Sequence, residues 1–164
     1  MKNCILLCLL ISLMAACSSP AGQAEKDIAL IEKYVEAVEN LDYETMQSCL
    51  ADDYTGYGPS HGDSINKEVA LENWKYVAEN IYDKIDYRRS NNIAVTVPSG
   101  RSAGEWVSNW AELYIRYQSG REVTLMANTI YKIENQKIAR SYTFYNEADA
   151  LRQLGFTFIM PTDY

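Results

Sequence analysis

Three runs near the C-terminus constrain this chain most: "EWVSNWAELYIRYQ", "REVTLMANTIYKI" and "KIARSYTFY", joined only by the turns Ser119-Gly120 and Glu134-Asn135-Gln136. Long alternating segments separated by such short turns pair with their immediate neighbours, so residues 105–145 read as an antiparallel meander. The preceding "KIDYRRSNNIAVTV" alternates in pieces around a kink at Ser90-Asn91-Asn92, and "PSGRSAG" connects it as a loop.

The pattern before the strands is different. In "DIALIEKYVEAVENLD" Ile28, Ile31, Val35 and Val38 recur at helical spacing, with Glu32, Lys33, Glu36 and Glu39 turned to water. Asp42 is placed to cap a short helix in "YETMQSCLADD", on which Met46, Cys49 and Leu50 share a face and Cys49 reads as a core residue. A short aromatic strand in "YTGYGPSHGDS" runs into a loop, with Asp52 and Asp53 as turn and solvent groups. A third helix then starts at Asp63 or Ser64 and carries the stripe Ala70, Trp74, Val77 and Ile81. Helices first and a curved antiparallel sheet afterwards define an α+β fold.

Strand parity sorts the aromatic residues. Trp106, Ser108, Trp110, Glu112 and Tyr114 share one face, and Val107, Asn109, Ala111, Leu113, Ile115 and Tyr117 the other. In the last strand Arg140, Tyr142, Phe144 and Asn146 lie together, opposite Ser141, Thr143 and Tyr145. Neither face is purely polar, so both sides of the sheet should make contacts, helices on one and a second subunit on the other. With 13 Tyr against 3 Phe, the apolar surface carries hydroxyls that need partners.

The N-terminus reads as an address. Lys2 precedes an uncharged run from Ile5 to Met14, about ten residues and too short to span a bilayer, followed by Ala15 and Ala16. Met14-Ala15-Ala16-Cys17 resembles a bacterial lipobox, with Met14 where leucine is usual. That divides the chain into a lipoprotein signal peptide, 1–16; a tether, 17–26; and a domain, 27–164. Lipid on Cys17 would make this an exported, membrane-anchored protein of the cell envelope. Cys49 is then the one cysteine left in the domain, which excludes an internal disulfide, and one His beside it excludes a His/Cys zinc site or an iron-sulfur cluster. Cleavage removes one Lys and no acid, taking the net charge from -7 to -8 and disfavouring nucleic acid as a partner. No phosphate-binding glycine loop or serine nucleophile elbow is present, and nothing points to a metal or cofactor.

The element order, "LADDYTGYGP" and above all "TIYKIENQKIARSYTFYNEADALRQLG" resemble the nuclear transport factor 2-like superfamily, in particular its SnoaL-like polyketide cyclase branch. The resemblance covers roughly Ile28 to Phe156. It implies a cone: a curved antiparallel sheet wrapped around N-terminal helices, a cystatin-like roll, enclosing an apolar pocket and often dimerising through the sheet. Some members of that superfamily are isomerases, cyclases, dehydratases or epoxide hydrolases, and many only bind. Cyclases of the branch keep an acid/base aspartate at the end of the last strand, a position that falls on Asn146. An amide cannot accept and return a proton, although it can donate a hydrogen bond to an oxyanion. Asn146 also fits a helix N-cap, with Asp149 three residues on.

Three readings follow. In the first, the domain binds a small apolar or aromatic molecule through Tyr57, Trp74, Trp106, Trp110, Tyr142, Phe144 and Asn146. In the second, an enzyme uses another base, with His61 oriented by Asp63 as a candidate and Asn146 as a polarising donor. In the third, the domain is noncatalytic and pairs with itself or another envelope protein through the sheet face. Arg140, taken as inward with Tyr142, could meet an acidic ligand, but is expected instead to pair with a carboxylate such as Glu112.

Overall fold

The computed structural model describes residues 20–159; Cys17 and the signal segment 1–16 lie outside them. The helix α1 spans Pro20–Glu39 and buries Ile31, Tyr34, Val35, Ala37 and Val38. It starts seven residues before the periodic segment, so 20–26 is helix where composition indicated a tether. Proline is pre-shaped for a first helical turn, and Ala21, Gln23, Ala24, Glu25 and Lys26 are good helix formers that simply lack an apolar stripe. Leu41, at φ 55, turns the chain out of α1.

Asp42 then caps α2, Tyr43–Cys49, accepting a hydrogen bond from the Thr45 amide at 3.0 Å. The strand β1, Leu50–Tyr57, follows at once, so Ala51-Asp52-Asp53 is strand rather than helix. A short β2, Ser64–Asn66, pairs antiparallel with β1 and delays α3 to Lys67–Asn80. The cap of α3 is accordingly Asn66, which accepts from the Val69 amide at 3.0 Å, and not Asp63 or Ser64.

The meander is as read: β3 Tyr82–Val97, β4 Gly104–Tyr117, β5 Glu122–Glu134 and β6 Lys137–Tyr145, then α4 at Glu147–Gln153. The pairing of β3 with β4 slips between Arg88 and Asn91, where Arg89 takes φ 51, so the expected kink is a bulge. Buried Asn109 holds it, donating to Ser90 Oγ at 2.8 Å and Asn92 Oδ1 at 3.0 Å. The sheet order is β2-β1-β6-β5-β4-β3, with β1 parallel to β6, so the sheet is mixed rather than wholly antiparallel.

Helices and the concave sheet face meet in one core. Ile31 and Val38 of α1, Val107 of β4 and Ile138 of β6 are all 0% exposed. Each such side chain stabilises the fold by about 1.5–3 kcal/mol relative to leaving it in water. The inward strand residues are therefore the odd-numbered set of β4 and β5, and Cys49, 1% exposed, packs with them as expected. No helix among the described residues is long and apolar enough to cross a membrane.

Candidate functional site

Where the core stops short of the wide end of the cone, a cavity of about 400 Å³ remains between sheet and helices. Its walls come from α1 (Tyr34), β1 (Tyr54, Gly56), α3 (Ala70, Trp74), Tyr82 and odd-numbered residues of β3–β6, and α4 (Ala150, Leu151, Leu154). Parity fills it: a strand that sends Val107 and Ile115 into the core sends Leu113 and Tyr117 the same way, and pairing carries that face onto Leu125, Thr129 and Tyr131.

Tyrosine gives the site its chemistry. Tyr34, Tyr54 and Tyr131 are 8%, 6% and 3% exposed and, with Tyr87, form a deep group. The rings of Tyr34 and Tyr131 meet edge to face at 5.9 Å. Burial pushes the Tyr34 phenol well up, and neighbouring Tyr54, Tyr131 and Tyr87 push the same way. Tyr131 is likewise raised by burial, and Tyr87 is pushed up to about 12 by burial and then by Glu39. Tyr54 is raised by burial while its hydrogen bond to Ser141 works against the shift.

A second group, Tyr82, Tyr117 and Tyr145, stands nearer solvent, Tyr145 being 36% exposed. Tyr82 and Tyr117 cross at 5.4 Å and 89°. Among the described residues exposed Glu147, the first residue of α4, is the one carboxylate in the lining, and no Lys, Arg or His contributes to it. The cavity thus offers neutral hydrogen-bond donors that stay protonated throughout the physiological range.

Gly56 shows how tightly the wall is built. A Cβ there would sit 2.6 Å from Tyr54 Oη, so any side chain would displace that ring. Among the described residues no group of three or more His, Cys, Asp or Glu is arranged to hold a metal ion.

The residues expected from sequence divide between two places. Trp74 lines the cavity, and Tyr57 reaches its edge. Trp106, Trp110, Tyr142 and Phe144 stand on the opposite, convex face, because the apolar odd-numbered set, not the even-numbered set, faces the helices. Tyr57 stacks on Tyr142 at 4.7 Å and 7°, with Trp106 at 6.3 Å from Tyr142, so these three do come together, but Tyr142 and Trp106 lie off the cavity lining. Asn146 is exposed and caps α4, accepting from the Asp149 amide at 3.1 Å; it is absent from the lining. His61 is exposed in the turn between β1 and β2 and also lies off the lining.

Arg140 does not meet Glu112. Glu112 pairs with Arg89 at 3.3 Å, and the register sets Arg140 against Lys132, far along the strand from the Glu112 position. Arg140 Nε is buried without a hydrogen-bond partner among the described residues.

The cavity tyrosines other than Tyr57 were missed. Two signals pointed to them: Tyr34 falls on the α1 stripe beside Ile31, Val35 and Val38, and Tyr117, Tyr131 and Tyr145 share the parity of Val107 and Ile133.

No protein-family model and no curated protein matches the sequence. Solved structures do match the fold. A candidate polyketide cyclase from Xanthomonas campestris pv. campestris superposes with a TM-score of 0.67 at 14% identity, covering 80% of this chain and 98% of the other. A candidate SnoaL-like polyketide cyclase from Shewanella denitrificans OS-217 gives 0.64 at 16% identity, covering 79% and 96%. A nuclear transport factor 2-like protein from Burkholderia xenovorans LB400 gives 0.61 at 12% identity, covering 79% and 96%. At such identities the likeness is one of architecture: the chain has the cone fold seen in SnoaL-like and nuclear transport factor 2-like proteins.

Proposed function

We propose that this chain is an envelope-anchored, noncatalytic binding domain that holds a small apolar or aromatic molecule in its tyrosine-lined cavity. The observation that carries the reading is the lining itself: about 400 Å³ walled by aliphatic side chains and eight tyrosines, with Glu147 as its one carboxylate. Pockets for small molecules combine an apolar wall with a few placed polar groups in this way. An isomerase, cyclase or dehydratase needs a group that exchanges a proton near neutral pH. The buried tyrosines are shifted away from that range, which leaves exposed Glu147 as the group such a reaction would have to use.

Anchoring would come from lipid on Cys17, a reading supported by the sequence of the signal segment. A second copy would cover the convex sheet face, where Ile93, Val95, Met126 and Phe144 are 50%, 49%, 63% and 52% exposed. Apolar side chains clustered on one face are a mark of protein interfaces.

Native mass spectrometry of the full-length protein from its own host tests the binding reading. It should show a noncovalent small-molecule adduct that is absent from an Ala127→Leu variant, in which the added methylenes occupy the cavity, together with a diacylglyceryl mass on Cys17. Recovery of the wild-type domain without any adduct, and with no affinity for small aromatic probes, would refute it.

A further inference from the structure

The deep tyrosine group is unevenly satisfied. Tyr54 Oη and Ser141 Oγ are 2.7 Å apart, and Tyr131 has the Thr129 hydroxyl beside it. Tyr34 and Tyr87 also line the cavity, yet neither hydroxyl has a hydrogen-bond partner among the described residues. The Tyr87 backbone amide donates to Glu39 Oε1 at 2.6 Å. Arg140 Nε is the one buried side-chain polar atom without a partner among the described residues, so the Tyr34 and Tyr87 hydroxyls are not sealed off: they open onto the cavity, where a bound molecule can accept from them.

The character of that acceptor follows from what surrounds it. The lining has no Lys, Arg or His to balance an anion, and its one carboxylate, Glu147, stands exposed at the outer end, too far out to balance a buried cation. Burial raises the phenols, so they act as donors rather than as bases. Leu113, Leu125, Leu151, Leu154 and Trp74 supply apolar wall for the remainder of a ligand.

We propose that Tyr34 and Tyr87 form the ligand-orienting pair of the cavity, and that its occupant is a neutral, mostly apolar molecule with a carbonyl oxygen directed at these two hydroxyls. The inference rests on the binding reading above and adds the polarity and direction of the bound molecule. Tyr82, in the outer group, contributes shape rather than this contact.

The test uses 1-tetralone and tetralin, which share a ring frame and differ at the carbonyl. Affinities are measured calorimetrically for the full chain and for Tyr34→Phe, Tyr87→Phe and Tyr76→Phe. Tyr34→Phe and Tyr87→Phe should each weaken tetralone binding about threefold to tenfold while leaving tetralin unchanged, as expected for loss of one hydrogen bond. Tyr76→Phe, at an exposed position of α3 away from the lining, should leave both affinities unchanged. Infrared spectroscopy of tetralone bound to the wild-type protein should show its carbonyl stretch shifted down relative to hydrocarbon solvent, and this readout decides the matter even where a variant fails to fold. An unshifted stretch, or equal affinities in wild type and both deep variants, overturns the orienting role while leaving the cavity as a binding site. Failure of both probes to bind the wild-type protein overturns this inference and the binding reading together.

Discussion

The hydroxyls of Tyr54 and Ser141 lie 2.7 Å apart across the parallel pairing of β1 with β6, and both residues are buried in the cavity wall. They join the first strand to the last beside the Tyr57–Tyr142 stack, which links the same two strands. Removing one member leaves the other buried and unpaired, so the losses from the two single changes overlap. Tyr54→Phe and Ser141→Ala should therefore each cost about 1–2 kcal/mol, and the double variant less than their sum by about 0.5–1.5 kcal/mol. Urea unfolding of the four proteins measures the coupling, and strict additivity would show that the contact does not hold β1 in place.

The parallel pair itself was not legible in the sequence, and the reason is physical. Short turns set the register of β4, β5 and β6, so the meander could be read almost residue by residue. The strand β1 is separated from β6 by 79 residues, from Tyr57 to Lys137, and nothing local specifies that partnership. The choice of inward face failed differently. In β4 both faces carry large apolar groups, so that strand alone is ambiguous. In β5 the odd set Val123, Leu125, Ala127, Thr129, Tyr131 and Ile133 opposes the even set Glu122, Thr124, Met126, Asn128, Ile130, Lys132 and Glu134, a contrast broken only at Thr129, Met126 and Ile130 that the Gln118–Arg121 turn transfers to β4. Weighting the tryptophans above that contrast placed the site on the convex face.

Asp27 makes a pH-dependent contribution of opposite sign to most carboxylates. It is 2% exposed on α1, its Oδ1 accepts from Gln23 Nε2 at 2.8 Å, and its carboxyl is raised by burial; Gln23 opposes the shift and Glu105 of β4 adds to it. The folded state then holds this proton more tightly than the unfolded chain, so stability falls as pH rises from the ordinary aspartate value through the raised one, and the deficit persists at neutral pH. Asp27→Asn keeps an acceptor for Gln23 and removes the charge. It should be more stable than wild type at pH 7, with the difference vanishing below about pH 3.9, where aspartate is protonated in both states. Denaturation midpoints across that range check it; a variant less stable than wild type at pH 7 would show that the charged form is the favoured one.

Pairing through the convex face leads to a test at Met126 and Phe144, whose exposures are 63% and 52%. Phe144 is aligned with Asn128 on β5, and Asn128 with Trp110 on β4, so one row crosses the middle of the face. Met126→Glu puts a charge into any contact made there while burying nothing in the isolated subunit, so its effect on subunit stability should stay within about 0.5 kcal/mol. Light scattering should give a dimer for wild type and a monomer for the variant at the same concentration. A wild-type protein that remains monomeric at high micromolar concentration would remove this interface from the proposal.

Asn146 separates the role of a position from its resemblance to one. Its side chain accepts from the Asp149 amide at 3.1 Å, and Glu147 and Asp149 already place two acids in the first turn of α4. Asn146→Ala should cost about 1 kcal/mol through loss of the cap, whereas Asn146→Asp, an equally good cap, should fall within about 0.5 kcal/mol of wild type. Asn146 is exposed and off the cavity lining, so neither variant should alter affinity for a cavity probe by more than about twofold. Introducing the aspartate should likewise leave the cavity without a buried acid, since the new carboxylate would occupy the α4 cap in solvent. Thermal unfolding and probe titration of the two variants measure these effects separately. A tenfold loss of affinity in Asn146→Ala with little change in stability would return this residue to the binding site.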